Sequence, residues 1–456
     1  MSLLPLMAIA RLTVRDAVRS RLLVSLAVIL VIGLISLPLL ISGDNTLNGQ
    51  IQVILAYTLS FAMSILSAVT LWAACGGIAS EIQDRRLYLV LTKPVHRHEL
   101  WLGKWLGIAG LNAMLLSLTG LIVSAMIAFT LNVSPESAIA KRQAREHFLL
   151  ARMTVIPVAP DFAEQARRDA DALLQSGRLP AGVTARVVEA ELIKRYQDRR
   201  YSLPPHGAIT LDFPLPVSID NGHDLILKYA FDSSRPERTP VSGEWTISGG
   251  QHDSLVMSVT NYPGIPNTVL IPGEWVRGAP SIHLTYQRLD AKNPATLLLK
   301  ANGKEPELLI PAGGIAMNLT RGLLIILFRL GFLAALGLTA GSLLSMPVAV
   351  FAGFFIMTLL ALSGYVETVA SSGVFYVAHE GPAPTQTWLD AAILNLFKGL
   401  YGITRPFLRF DPVPLLQEGL RISWTVAGQA FVWLIGLYTT LTAVIGIALF
   451  NRRELG

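Results

Sequence analysis

Long apolar runs separated by short charged stretches occupy both ends of the chain. A bilayer hydrocarbon core of about 30 Å requires roughly 20 apolar residues of helix. The first run is too long for the apolar region of a signal peptide, and no small-residue cleavage site follows it before Asp44, so it is interpreted as a retained helix. The pattern predicts an α-helical polytopic membrane protein with about six transmembrane helices, at Leu22–Ile41, Ile51–Ala79, Trp105–Leu131, Gly322–Gly341, Met346–Gly364 and Ile422–Phe450.

The middle of the chain has the pattern of an ordinary soluble domain. Residues 134–201 are rich in strong helix formers and are predicted to be helical. From 208 to 312, apolar and polar residues alternate in short runs bounded by Gly, Pro, Asn and Asp, which predicts the strands of a β-sandwich. Three domains are therefore expected: an N-terminal membrane part (1–131), an α+β domain (132–320) and a C-terminal membrane part (321–456).

Composition and charge predict how the chain is oriented in the membrane. The chain is 52% hydrophobic and only 15% charged, with a formal net charge of +6. Basic residues collect before the first predicted span, after the second and in the tail, which places those segments in the cytoplasm and residues 132–320 outside it. The expected location is a bacterial inner membrane, and the basic excess does not indicate a nucleic-acid partner. The single cysteine, Cys75, excludes an internal disulfide and is interpreted as a packing residue.

The loop after the second span, within residues 80–104, is the most informative segment. A charged helix end is followed by an amphipathic stretch, a proline and a second amphipathic helix, which together predict an elbow that presents charged and apolar side chains to a partner. Topogenic charge alone is the alternative, but it explains neither the leucine spacing nor the proline. The elbow residues are Glu81, Asp84, Arg85, Arg86, Leu89, Leu91, Pro94, Arg97, Gly103 and Lys104.

All of these elbow residues except Asp84, taken in order, resemble the loop of ABC-2 type permeases, the membrane subunits of type V ABC exporters. The Gly341–Pro347 turn and the Arg452–Leu455 tail are similar to the family as well. The resemblance covers the membrane parts, a little over half of the chain, and the large insert departs from it. It implies that the elbow docks on a separate ABC ATPase subunit and that a second permease copy or a paralogue completes a dimer. Residues 385–410 contain an amphipathic segment that is short for a span and is interpreted as an interfacial or re-entrant element; the family has re-entrant elements in the same place.

No phosphate-binding Gly-x-x-x-x-Gly-Lys-Ser/Thr motif occurs in the sequence, so ATP and Mg²⁺ are expected on the partner ATPase. The chain itself is predicted to have no catalytic residue, no cofactor and no metal site. His96 and His98 are a weak metal candidate because no third ligand is near them in the sequence.

Two further sets of residues are candidates for function. Arg329 lies inside the fourth predicted span, where a charge is costly. This arginine has either a functional or a structural role. In a structural role, its side chain would reach the membrane–water interface or pair with Glu367. Four aromatic residues of the insert are candidates for a sugar-stacking platform, with core and loop packing as the alternative: Trp245, Tyr262, Trp275 and Tyr286.

The leading hypothesis is a permease subunit of an ATP-driven exporter, embedded in membrane lipid. The alternative is an ATPase-coupled mechanical or scaffold protein that acts on the cell envelope through its outer domain without moving a solute. A third hypothesis is a membrane-tethered binding or hydrolytic domain, for which one span would be enough; six predicted spans count against it.

Overall fold

The computed structural model describes residues 3–41, 47–83, 96–133, 150–159, 161–175, 185–216, 223–233, 239–249, 254–289, 296–300, 305–362 and 409–452, together with 364, 392, 393, 395–399, 401 and 405. The chain divides into two compact units. The helical unit comprises Met1–Leu149 and Gly314–Gly456, and the sheet unit comprises Leu150–Gly313.

The described helices are α1 (Leu3–Arg19), α2 (Arg21–Leu40), α3 (Leu47–Gln83), α4 (Arg97–Val133), α5 (Ala163–Gln175), α6 (Ala185–Arg200), α7 (Ile315–Leu343), α8 (Met346–Ala361), α9 (Val413–Gln417) and α10 (Trp424–Arg452). The strands are β1 (Leu150–Val155), β2 (Ser202–Leu203), β3 (Ala208–Pro214), β4 (Leu225–Tyr229), β5 (Asp232–Ser233), β6 (Val241–Ser248), β7 (Leu255–Asn261), β8 (Asn267–Ile271), β9 (Ser281–Arg288), β10 (Leu297–Leu298) and β11 (Glu307–Gly314).

Five described helices, α2, α3, α4, α7 and α10, are long and apolar enough to cross a membrane. The chain is thus a multi-pass membrane protein by the length and composition of its helices. The fifth of the six predicted spans corresponds to α8, which has only 16 residues. At 1.5 Å per residue it reaches about 24 Å, short of the hydrocarbon core. The described residues therefore support five full spans and one shorter apolar helix.

In the helical unit, α7 lies at the centre and packs against α3, α4, α8 and α10. Most of its residues beyond the first turns are buried, so its apolar surface faces other helices. Cys75 on α3 is fully buried, and its thiol lies 3.4 Å from the carbonyl oxygen of Ala349 on α8. Its role is packing, as the sequence predicts.

Helix α10 changes its winding along its length. It is α-helical from Trp424 to Ala430, π-helical from Phe431 to Thr439, and α-helical again from Thr440 to Arg452. π-Helical segments are rare, and they interrupt the regular i to i+4 hydrogen bonding.

The sheet unit contains two four-stranded sheets, in the orders β1-β11-β4-β8 and β3-β9-β6-β7, and a small sheet β2-β10-β5. Inward and outward side chains alternate along β3, β6 and β9, which confirms the period-2 pattern. Both large sheets supply side chains to one hydrophobic core, for example Leu227 and Ile271 from one and Phe213 and Leu284 from the other.

The prediction of helix over residues 134–201 is confirmed for α5 and α6 and wrong for Leu150–Val155. That segment is strand β1, which lies beside β11 in the sheet. Its alanine, methionine and arginine favour helix locally, but pairing with a neighbouring strand outweighs this weak preference.

Candidate functional site at the base of the 84–95 loop

Helices α3 and α4 flank the predicted elbow and are the longest in the described part of the chain, with 37 residues each. Each spans about 55 Å at 1.5 Å per residue, which exceeds the hydrocarbon thickness. Four of the ten elbow residues lie on these helices, namely Glu81, Arg97, Gly103 and Lys104. The other six lie outside the described residues: Asp84, Arg85, Arg86, Leu89, Leu91 and Pro94.

Glu81 and Lys104 join α3 to α4, the two helices that flank residues 84–95 in the sequence. The ammonium nitrogen of Lys104 donates a hydrogen bond to Glu81 Oε1 at 2.7 Å. The Lys104 side chain is only 8% exposed and that of Glu81 is 25% exposed. Desolvation offsets much of the attraction in such a pair, so the contact links the two helices at this point without a large net gain in stability.

Arg97, the first residue of α4, caps the end of α10. Its Nη1 donates to the carbonyl oxygens of Phe450 at 2.6 Å and Asn451 at 3.3 Å. The guanidinium carbon also lies 5.5 Å from the centre of the Phe450 ring. A cation at the C-terminus of a helix satisfies its last carbonyls and interacts favourably with its dipole. The base of the loop is thus tied to α10 as well as to α3.

The histidines next to Arg97 have local structural roles. The backbone N–H of His96 donates to Glu99 Oε2 at 3.1 Å, which is the N3-to-N-cap half of a capping box. The rings of His96 and His98 are stacked with centroids 5.2 Å apart. Among the described residues, no group of three or more His, Cys, Asp or Glu side chains is arranged to hold a metal ion.

Gly103 and Gly107 form a groove on α4 that receives α1. A Cβ atom on Gly107 would lie 2.8 Å from the carbonyl oxygen of Ala10, and one on Gly103 would lie 2.8 Å from Ile9 Cβ. Small residues four positions apart allow two helix backbones to approach closely. Gly103 therefore acts in helix packing in addition to its place in the elbow motif.

Helix α1 is not among the elements predicted from the sequence, where its arginines serve only to orient the chain in the membrane. The signal that would have revealed it is the spacing of Leu6, Ala10, Thr13 and Ala17, which places these residues on one helical face. Leu6 and Ala17 are buried, while Arg11, Arg15 and Arg19 are exposed.

A second polar cluster ties α7 to the segment Phe410–Ser423, here called the clamp segment. Arg329, only 8% exposed, forms an ion pair with Asp411, with 3.2 Å between Nη1 and Oδ1. The predicted partner Glu367 lies outside the described residues. Asn318 donates to Leu420 O and accepts from the Ile422 N–H, both at 2.7 Å.

The clamp segment also contributes apolar side chains to the bundle. Phe410, Val413, Leu416 and Ile422 share a core with residues of α3, α4 and α7. The predicted re-entrant element, 385–410, lies mostly outside the described residues. The segment that follows it directly is the one that packs into the bundle.

In the sheet unit, the structure separates the four aromatic candidates. Trp245 and Tyr286 are fully buried, so the prediction of a surface platform is wrong for these two residues. Trp275 packs partly buried against the same core, and Tyr262 is 47% exposed. Large apolar rings at inward positions of a strand fill the space between two sheets, which is the packing alternative.

Asn261 bridges two of the buried tyrosines. Tyr229 Oη donates to Asn261 Oδ1 at 2.6 Å, and Asn261 Nδ2 donates to Tyr286 Oη at 2.9 Å. Burial raises the pKa of Tyr229 to about 12 and also raises the pKa of Tyr286. This network satisfies polar groups inside the core.

Comparison of the chain with protein-family models, with curated proteins and with solved structures finds no match.

Proposed function

We propose that this chain is the membrane-embedded permease subunit of an ATP-binding cassette exporter, driven by ATP hydrolysis on a separate subunit. The loop 84–95 is the segment on which the ATPase acts. In this proposal the protein lies in a bacterial inner membrane with both termini in the cytoplasm, and residues 132–320 lie outside it.

The observation that carries the proposal is the fixed base of the loop. The Glu81–Lys104 pair joins the two helices that enter and leave the loop, with 2.7 Å between the charged atoms. Arg97 extends the connection to the last carbonyls of α10. A loop that transmits force needs such a base, because movement would otherwise be absorbed locally. A loop with only topogenic charge has no need of it.

The contacts continue from this base toward the centre of the helical unit. The indole N–H of Trp105, next to Lys104, donates to the carbonyl oxygen of Gly331 on α7 at 2.8 Å. Helix α7 is in turn tied to the clamp segment through Arg329 and Asn318. Displacement of the loop would thus reach α7 and the clamp segment through direct contacts.

The proposed assembly contains two ATPase subunits, which hold ATP and Mg²⁺, and a second permease copy or paralogue. The apolar surface available for such contacts is large. Only 11% of the apolar stretch of α2 and 22% of that of α10 are buried within the chain. Lipid or a second copy would cover the remainder.

The test is co-expression of the chain with a candidate ATPase subunit, followed by co-purification and measurement of ATP hydrolysis. Changing Leu89 and Leu91 to Asp is expected to abolish co-purification and the stimulation of hydrolysis by the permease. The matched control changes two exposed apolar residues of the sheet unit, Val256 and Ile265, to Asp. If both double variants bind and stimulate the ATPase equally, the coupling role of the loop is wrong.

A mechanical function is the second candidate, and the sheet unit favours it because it is a compact unit with a hydrophobic core of its own. In this alternative, ATP hydrolysis moves the outer domain against the cell envelope and no solute crosses. Reconstitution of the complex in vesicles distinguishes the two functions. ATP-dependent accumulation of a lipid, drug or glycan supports the exporter, whereas coupled hydrolysis without any accumulation supports the mechanical protein.

A further inference from the structure

A polar cavity of about 510 Å³ lies where α1, α2, α3, α4 and α8 meet. Its position follows from a break in the helix, since α1 ends at Arg19 and Ser20 takes an extended conformation before α2 begins. Among the described residues, four charged ones line the cavity, two acidic and two basic: Asp16, Arg19, Glu81 and Lys104. The charges of these four residues balance.

An apolar groove of about 400 Å³ continues from this cavity. Its described lining comes from α1, α2, α3 and α4 and consists of apolar residues. Ala17, Leu23 and Leu111 line both spaces, so the polar cavity and the groove are contiguous. From Leu23 to Ile32 the groove follows α2 for about 14 Å at 1.5 Å per residue.

The described residues leave the side of α2 that lines the groove open. Val24, Val28 and Ile32 line the groove and are 46%, 50% and 60% exposed. The site therefore has a charged end and an apolar extension along a membrane-spanning helix, which is the shape of an amphiphile.

We propose that this site binds one glycerophospholipid whose headgroup carries a phosphate and a primary ammonium group. Arg19 and Lys104 provide donors for the phosphate. The Lys104 ammonium has three donors, and its hydrogen bond to Glu81 uses one of them. One acyl chain lies in the groove against Val28.

The acidic residues select the ammonium group. Asp16 and Glu81 line the same cavity, and Glu81 Oε2 is buried without a hydrogen-bond partner within the described part of the chain. A ligand ammonium would satisfy this oxygen. A phospholipid with a net negative headgroup would instead add its charge next to two carboxylates, so the two acidic and two basic described residues favour the zwitterion.

The experiment uses the purified full chain in detergent, with added phosphatidylethanolamine or phosphatidylglycerol of the same acyl composition. Native mass spectrometry measures retained lipid, and thermal unfolding measures stabilisation. The expected result is retention of phosphatidylethanolamine in preference to phosphatidylglycerol, with a higher midpoint of unfolding. Phosphoethanolamine without acyl chains is expected to produce no shift.

Two variants with matched controls test the two ends of the site. Val28→Trp fills the groove and is expected to weaken phosphatidylethanolamine binding at least about tenfold, whereas Ile35→Trp, 47% exposed on α2 and outside the groove lining, leaves it unchanged. Arg19→Gln removes a charge-assisted contact and is expected to weaken binding about tenfold, whereas Arg15→Gln leaves it unchanged. Val28→Ser, which leaves the groove open but polar, provides a smaller change if the tryptophan variant does not fold.

Three outcomes would overturn the proposal. Equal retention of both lipids in all variants would mean annular lipid only. Full stabilisation by phosphoethanolamine would mean that the acyl chain has no part in binding. Photo-crosslinking from Val28 to a second copy of the chain, with no lipid labelled, would mean that the groove is an interface between copies. Labelling of α2 and α4 at the groove by a phospholipid with a photoreactive acyl chain supports the proposal.

Discussion

Arg329 and Asp411 form an ion pair, with 3.2 Å between guanidinium Nη1 and carboxylate Oδ1, that joins the middle of α7 to the turn before α9. Asp411 Oδ1 also accepts the backbone N–H of Val413 at 3.2 Å, which fixes the first turn of α9. The acid thus holds a buried cation and the start of a helix at once. A charge that the sequence identifies as costly is compensated by a segment far along the chain.

Replacing Asp411 with Asn is expected to destabilise the protein by about 2–3 kcal/mol. Removing one member of a buried pair leaves the other charge poorly compensated, and the loss is below the roughly 3–5 kcal/mol of a fully buried pair because Asp411 is 36% exposed. Denaturant titration in detergent micelles measures the change. The double variant Arg329→Met, Asp411→Leu should recover part of the loss, and an Asp411→Asn variant as stable as the unmodified protein would show that the pair has little structural weight.

A methyl group on Gly107 is expected to disrupt the packing of α1 on α4. The new Cβ would lie 2.7 Å from Thr13 Cβ and 2.8 Å from the carbonyl oxygen of Ala10, so α1 must shift, at a cost of about 1–3 kcal/mol. Gly110→Ala is the control, because a methyl group there would have no neighbouring atom within 4 Å among the described residues. Limited trypsin cleavage at the arginines of α1 should accelerate in Gly107→Ala alone. Equal cleavage in both variants would contradict the close approach of the two helices.

Lys104→Met is expected to separate association from coupling, provided that the proposed function is correct. The loop residues that would contact the ATPase remain, but the tie between α3 and α4 is lost. Co-purification with the ATPase should persist, and stimulation of hydrolysis should fall several-fold. The reversed pair Glu81→Lys, Lys104→Glu should restore part of it. If Lys104→Met abolished co-purification, the Glu81–Lys104 pair would instead contribute to binding of the ATPase.

Alkaline pH is expected to destabilise the sheet unit. Burial raises the pKa of Tyr229 from 10.0 to about 12, so the folded state retains its phenol proton when the unfolded chain has lost it. The contribution of Tyr229 to stability is therefore fully present below pH 10 and is lost as the pH rises through 12. A shift of this size corresponds to about 2–3 kcal/mol. Tyrosinate absorbance, followed together with unfolding, measures the effect. Tyr229→Phe should lose stability less steeply above pH 10, and an unchanged slope would contradict this origin.

Much of the membrane part could be predicted from hydropathy, because a run of apolar residues long enough to span a bilayer has few alternatives. The predicted span Leu22–Ile41 agrees closely with α2, at Arg21–Leu40. Helices α3 and α4 are longer than their predicted spans, since hydropathy does not detect the polar turns beyond the apolar run. Those turns contain Glu81 and Arg97, the residues that form the base of the loop.

The partners of these residues could not be predicted. Nothing in the local pattern relates Arg97 to the carbonyl of Phe450, or Arg329 to Asp411, because such contacts depend on which helices become neighbours. Alternation identified the strands, but the same alternation does not distinguish an aromatic ring on the core face from one on the exposed face. For this reason the sequence does not show that Tyr286 and Trp245 both lie on the core face of their strands, whereas Tyr262, which follows β7, is 47% exposed.

The π-helical segment of α10, Phe431–Thr439, lies between two fixed ends. At the start of the whole helix α10, Arg321 donates to Ile422 O at 3.0 Å and lies 4.9 Å from the Trp424 ring. Near the end of α10, Arg97 donates to Phe450 O. Conversion of one wide turn to a regular α-turn would rotate the two halves of the helix relative to each other. α10 therefore contains an irregular segment at which its hydrogen-bonding pattern, and with it the rotation of its two halves, can change.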